Sequence, residues 1–148
     1  MPLAVIPPLN CNFSVLFENP KFSKDMGFYS IQGLSAQLIP ETPSGKLQAH
    51  FENIILTRAY ISDSKLVEWC MDTINNGNCQ EENFRISLQG EKNKILSSWN
   101  IKKAVPVGWR IEVLHAQETR ILLETIELKY DYFEVVNSKG KVVAPKKK

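Results

Sequence analysis

Any catalytic chemistry in this chain would have to come from few side chains: two histidines, His50 and His115, three cysteines, Cys11, Cys70 and Cys79, and some scattered serines and carboxylates. His115-Ala116-Gln117-Glu118 lacks the HExxH spacing that sets two imidazoles on one helix face, and neither histidine has a neighbour that completes a nucleophile or metal motif. The cysteines are odd in number and contain no CxxC pair, which makes a poor disulfide framework and a poor zinc or iron-sulfur site. A free, buried thiol at Cys70 is the favoured reading, with a Cys70–Cys79 disulfide as the weaker alternative. Ser62, Ser64 and Ser98 have no arrangement that singles out a nucleophile. The acidic pairs Glu81-Glu82 and Glu124/Glu127 read as solvated faces, and no glycine-rich phosphate cradle is present. No catalytic residue, metal ligand or cofactor is therefore expected.

The elements that would carry these residues are mostly strands. Segment 47–61 is rich in β-branched and aromatic residues, holds no proline or glycine, and reads as one long strand. Ser62-Asp63-Ser64 then offers a helix cap, and Leu66, Cys70 and Ile74 recur at helical spacing with Val67 and Met71 beside them, predicting a helix over 63–74. Asn75 to Asn78, with Gly77, ends it. Phe13, Val15 and Phe17 alternate with Asn12, Ser14 and Leu16 in a first, half-buried strand at 12–18. A second strand is predicted over 28–40, with Gly33 at a bulge or bend. The proline-punctuated loop 40–46 joins it to the long strand as an extended, projecting hairpin.

Further along, 84–88 and 95–104 read as a second hairpin, with Trp99 and Ile101 on one face and Asn100 and Lys102 on the other. Segment 105–109 is a short kinked element whose Pro106 suits an edge or a crossover between sheets. A final strand is predicted over 121–136, with Ile126, Leu128, Tyr130 and Tyr132 on an apolar face. The fold class is mainly β, a small antiparallel barrel or sandwich with one flanking helix and a long hairpin.

A chain of 148 residues with 43% hydrophobic and 23% charged residues suits one folded domain, expected over 10–137. Residues 1–9, with three prolines, are expected to form an extended arm, and 138–148 a flexible lysine-rich tail. The net charge of +2 resides in that tail, because Lys146, Lys147 and Lys148 leave the rest at −1. Specific nucleic-acid recognition is not expected, since a binding surface would place basic residues through the body as well. The N-terminus lacks the basic start of a signal peptide and no apolar run reaches transmembrane length, so synthesis in a cytosol is expected.

Five segments, taken in order, carry a resemblance. They are residues 28–34 (Phe-Tyr-Ser-Ile-Gln-Gly-Leu), Gly45-Lys46 leading to 53–58 (Asn-Ile-Ile-Leu-Thr-Arg), the helix start at 62–69, residues 98–109 from Ser98-Trp99 to Gly108-Trp109, and 124–130 from Glu124 to Tyr130. Together they resemble the inner tube proteins of contractile phage tails and of the phage-like contractile injection systems of bacteria, from Phe13 to about Val135. The resemblance implies a structural subunit without enzymatic activity, forming stacked hexameric rings around a channel inside a contractile sheath. Its partners would be other copies, the sheath, tube-initiator and baseplate proteins, and a cargo in the lumen. The particle would be a phage tail or a released tail-like device.

Carried across by position, Ile54, Leu56 and Arg58 would lie in a long ring strand, and Ser97, Trp99, Pro106 and Trp109 in a second signature region of packing and subunit contacts. Leu66 and Trp69 of the helix and Leu128 and Tyr130 of the closing strand complete the set of assembly and packing candidates. The chain departs from the family pattern at Glu52 and Ala59, where glycines are usual, and in its asparagine-rich 75–82 segment. A tube-initiator or baseplate copy of the same family is one alternative. A carbohydrate- or peptide-binding β-sandwich is the other, and it would need Trp69, Trp99 or Trp109 exposed in a groove.

Overall fold

The computed structural model describes residues 12–25 and 27–147; the expected arm at 1–9 and Cys11 lie outside the described residues. Nine strands and one α-helix follow in chain order: β1 (Phe13–Phe17), β2 (Phe28–Gln32), β3 (Ala36–Glu41), β4 (Lys46–Phe51), β5 (Ile54–Ala59), α1 (Lys65–Asn76), β6 (Glu82–Gln89), β7 (Ile95–Ile111), β8 (Leu123–Lys129) and β9 (Tyr132–Val136). Every strand pairing is antiparallel.

The backbone of the arrangement is β7, 17 residues long. Its first part lies between β6 and β9, and its second part pairs β8. The segment expected as a separate kinked element at 105–109 is thus the continuation of β7, and the crossover between sheets occurs inside one strand. Two irregularities make the change of direction. Lys103 takes the left-handed conformation (φ 58°), and the register against β8 slips between Pro106 and Gly108. The result is one seven-stranded sheet in two halves, β1–β6–β7–β9 and β2–β5–β8–β7, around a shared core.

The final strand expected over 121–136 is two strands, because the chain bends at Tyr130-Asp131 before resuming beside β7. The bend changes the alternation. Ile126, Leu128 and Tyr130 are buried, whereas Tyr132 pairs with Lys102 and is only half-buried. The strands expected at 28–40 and 47–61 do pair with each other as one long hairpin, but each is interrupted, at Gly33–Ser35 and at Glu52-Asn53. Gly33 (φ 98°) is required there, since a Cβ would sit 2.0 Å from the Asn53 carbonyl oxygen. Beyond this break β3 and β4 form a separate two-stranded sheet.

Helix α1 starts where the serine cluster places it. Ser64 is the N-cap, its Oγ accepting from Val67 N at 3.2 Å, and Gly77 (φ 69°) closes the C-terminus with its N–H on Thr73 O at 3.0 Å. Leu66, Trp69 and Cys70 are buried, while Ile74, expected on the same stripe, is exposed because the last turn runs past the sheet. Phe17, Phe22 and Trp69 pack as an aromatic group with centroids 5.2 to 6.1 Å apart, closing the core beneath the helix. Burying each such ring contributes about 2–3 kcal/mol. After β9, a turn at Asn137 and Gly140 brings Val142 back beside Val136, and Lys146 Nζ lies 4.3 Å from the Tyr132 ring centre.

Inside this apolar core sits a full guanidinium. Arg58 has no exposed surface and donates to Glu124 Oε1 at 2.7 Å, Asp25 Oδ1 at 3.0 Å and Ser64 Oγ at 2.6 Å. Ser64 in turn donates to Asp25, Lys65 N donates to Asp25 Oδ2 at 3.1 Å, and Trp109 Nε1 donates to Glu124 Oε2 at 2.7 Å. The Phe28 ring lies under the guanidinium at 5.7 Å. Replacing Arg58 by Met leaves Asp25 and Glu124 buried without a cation, so Arg58→Met should lower stability by about 3–5 kcal/mol in urea unfolding. Removing one of the two stranded charges with Glu124→Gln in the same chain should recover part of that loss.

Candidate functional site

The ten candidate residues of the sequence gather in the interior. Ile54, Leu56, Arg58, Leu66, Trp69, Pro106, Leu128 and Tyr130 are buried, and Trp99 and Trp109 are half-buried against the same core. They build the subunit. The indole N–H groups of Trp69 and Trp109 are spent on Gln80 O and Glu124, so neither ring offers a free stacking face with a polar handle. His50 and His115 are exposed and far apart in the fold, on β4 and in the 112–122 loop. Among the described residues, no cluster of three His, Cys, Asp or Glu side chains could hold a metal ion, and no helix is long and apolar enough to cross a membrane.

Of the acidic pairs expected on solvated faces, Glu81 is exposed, whereas the other three carboxylates are elsewhere. Glu124 is fully buried on Arg58, and Glu82 is buried, accepting from Asn19 Nδ2 at 3.1 Å and Gln80 Nε2 at 2.9 Å. Glu127 is half-buried and accepts from Asn53 Nδ2 at 2.8 Å. Each carboxylate has internal partners, which explains why its burial is tolerated.

What remains for interaction is the outside of the half-sheet β2–β5–β8–β7, its margins, and the hairpin. Cross-strand partners share a face, so the outer face carries the rows Gln32–Ile55–Glu127–Gly108 and Ser30–Thr57–Thr125–Arg110. Apart from Ile55, these side chains are small or polar. Thr57 and Thr125 hydroxyls lie 3.4 Å apart, and Thr125 donates to Glu112 at 2.7 Å. That bond, with a second from Arg110, holds the Glu112 carboxyl below the usual carboxylate range. At the two margins, β2 has a strand partner on one side only, and so does the Val105–Ile111 part of β7, among the described residues.

The β3–β4 hairpin is amphipathic, a property hidden when 47–61 is read as one strand. Ala36, Leu38, Pro40, Leu47, Ala49 and Phe51 form one face, and Gln37, Ile39, Glu41, Lys46, Gln48 and His50 the other. All except Phe51 are exposed. At the far end of β5, roughly 20 Å away by strand rise, Tyr60, Val113, Leu114 and Ile121 form a second exposed apolar group, joined by Tyr60 N on Leu122 O at 2.9 Å.

Two open strand margins on one polar-faced half-sheet suit a protein that pairs with copies of itself. The model of the family described as T4-like virus tail tube protein gp19 matches residues 9–134. The chain belongs to the tail tube protein family. It is a structural tube subunit. Solved structures agree on the fold. A chain in the anti-feeding prophage baseplate is 23% identical, with 92% of this chain and 99% of that one covered and a TM-score of 0.75. A chain of the sheath-tube complex of the extracellular contractile injection system PVC is 20% identical, covering 88% and 92%, with a TM-score of 0.66. Hcp1 from Flavobacterium johnsoniae is 14% identical, covering 89% and 98%, with a TM-score of 0.58. No curated protein matches by sequence.

Within the tail tube subunit both Cys70 and Cys79 are free, Cys70 buried and Cys79 exposed. Burial, and next the nearby Glu124 carboxylate, push the Cys70 thiol up to about 12. At pH 8, iodoacetamide should therefore label Cys79 in the folded protein and reach Cys70 only after unfolding. Because the folded pKa lies above the unfolded one, this thiol's contribution to stability is complete below about pH 8.5 and lost as pH rises toward 12. Urea midpoints measured from pH 8 to 10.5 should fall, and the fall should shrink in Cys70→Ala compared at equal starting stability.

Proposed function

We propose that this tail tube protein is the inner-tube subunit of a phage tail-like contractile injection particle, closing into hexameric rings that stack around a channel and acting without catalysis. Family membership supports the tube, and the open margins of one half-sheet support the ring. The β2 margin of one copy fits beside the Val105–Ile111 margin of the next, and cyclic closure leaves neither margin of this half-sheet unpaired. The outer face, with Ser30, Gln32, Ile55, Thr57, Glu127 and Arg110, then lines the channel as a largely polar wall that stays hydrated.

Stacking uses different surfaces. The apolar hairpin face and the Tyr60, Leu114 and Ile121 group stand at opposite ends of β5, so pairing one with the other is a heterologous contact that repeats along an axis. Residues 1–9 would serve as an arm between rings. The sheath, and the terminator and baseplate proteins at the tube ends, are the proposed partners, as the sheath-tube and baseplate settings of the similar structures suggest. The likeness to a baseplate chain keeps a tube-initiator role as the second reading.

Negative-stain microscopy of purified protein tests both. Six-fold rings and stacks lengthening with concentration are expected. Single rings that never stack would favour the initiator role, and a particle monomeric under all conditions would sink the tube reading. Leu38→Asp with Leu47→Asp should leave the urea midpoint within about 0.5 kcal/mol, as for exposed positions, while abolishing stacks and sparing rings.

A further inference from the structure

The hairpin is attached to the body in an unusual way. Its two breaks touch each other, with Gly33 against the Asn53 carbonyl, and Asn53 is fixed to Glu127. Beyond that point the hairpin's one inward anchor is Phe51, which packs on Tyr130 (centroids 6.0 Å apart) and edge-on against Phe133 (5.2 Å). Between Phe51 and Asn53 lies the exposed Glu52.

Beneath this joint is a defect. Tyr130 is only 7% exposed, and its hydroxyl is buried with no hydrogen-bond partner among the described residues. Native interiors rarely leave such a group unpaired, because it has given up water and received nothing in return. The phenol is pushed up to about 12, by burial first and by the Glu52 carboxylate second. It therefore stays an O–H donor throughout the physiological range, and the nearby charge that helps keep it protonated belongs to a group that only accepts.

We propose that Tyr130 and Glu52 form a latch: when a neighbouring copy loads the β3–β4 hairpin, the Glu52 carboxylate closes onto the Tyr130 hydroxyl, which donates the hydrogen bond it lacks in the free subunit. The latch rests on the stacking contact proposed above. It converts hairpin docking into a new bond at the edge of the core, so part of the assembly energy is stored where the subunit was incomplete. The hairpin need only move about Glu52-Asn53 and Gly33–Ser35, where no ladder bonds must break.

The test compares Tyr130→Phe, Glu52→Ala and the double variant in two measurements: thermal unfolding of dilute, unassembled subunit, and the concentration above which tubes sediment. In the free subunit Tyr130→Phe should be at least as stable as the wild type, since it removes an unpaired hydroxyl and nothing else. In assembly it should raise the threshold concentration about 5-fold, the factor for one ordinary hydrogen bond. Glu52→Ala should raise it by a similar factor, and the double variant no further than either single change. Wild-type thresholds in both single variants, or effects that simply multiply in the double, would overturn the latch while leaving the tube reading intact. If Tyr130→Phe fails to fold, Glu52→Ala at an exposed position decides alone. Wild-type protein that never assembles would instead overturn the tube reading, and the latch with it.

Discussion

The structure depends on a charged group held where charge is costly. Arg58 lies at zero exposure in an apolar core, on the strand that carries Ile54 and Leu56 and pairs with that of Ile126 and Leu128. Isolated burial of a guanidinium would cost several kcal/mol, so the site exists only because Nε and both terminal nitrogens find acceptors. Two carboxylates face one cation. The excess negative charge is met by the first turn of α1, through Lys65 N on Asp25, and by the Trp109 indole on Glu124. The same atoms fix geometry. Apolar contacts from Leu66 and Cys70 hold α1 against the body without choosing its position along it, whereas Ser64 joins the helix start to β5 and to the Asp25 loop at one point. Strands β5, β7 and β8, the helix cap and the loop before β2 all meet there.

That anchoring explains how one long strand can serve two half-sheets. β7 changes partner sides around Lys103 and Pro106, and each change spends ladder bonds and twists the chain. The bend at Tyr130-Asp131 in the facing strand matches it, with Asp131 N returning to Lys102 O at 2.9 Å. The two irregularities lie side by side, so the sheet turns a corner as a unit and keeps the core closed. Trp109 reaches Glu124 only because the register slip between Pro106 and Gly108 places it on the inner face.

The alternation of Phe13, Val15 and Phe17, of Phe84 and Ile86, and of Ile126 and Leu128 was legible in the sequence because each strand has one buried face and one wet one. Helix α1 was legible from its cap and its stripe. Of the two breaks in the long hairpin, the bend at Gly33 was legible, whereas the one at Glu52-Asn53 was not, since 47–61 contains neither proline nor glycine and that interruption answers to Gly33, about 20 residues away in sequence. Glu124 looked like one more surface acid because its cation comes from Arg58, 66 residues earlier. Buried ion pairs between distant strands carry no local signature. Arg58 was singled out by family resemblance, yet the reason for it, a tie between sheet and helix, needed Asp25, Ser64 and Glu124 in space. The hairpin's amphipathic face was visible in its alternation but was masked by merging it with β5.

The hairpin contributes no buried residue to the core apart from the half-buried Phe51 at its base. The rest of its sequence is therefore free of the packing demands that bind the body, and the side chains of β3 and β4 other than Phe51 can be exchanged without threatening the fold. In the stacking proposed above, such exchanges would alter which neighbour the subunit accepts while keeping the same body. Specificity among similar tubes in one cell would then drift in the appendage, under selection separate from that acting on the body.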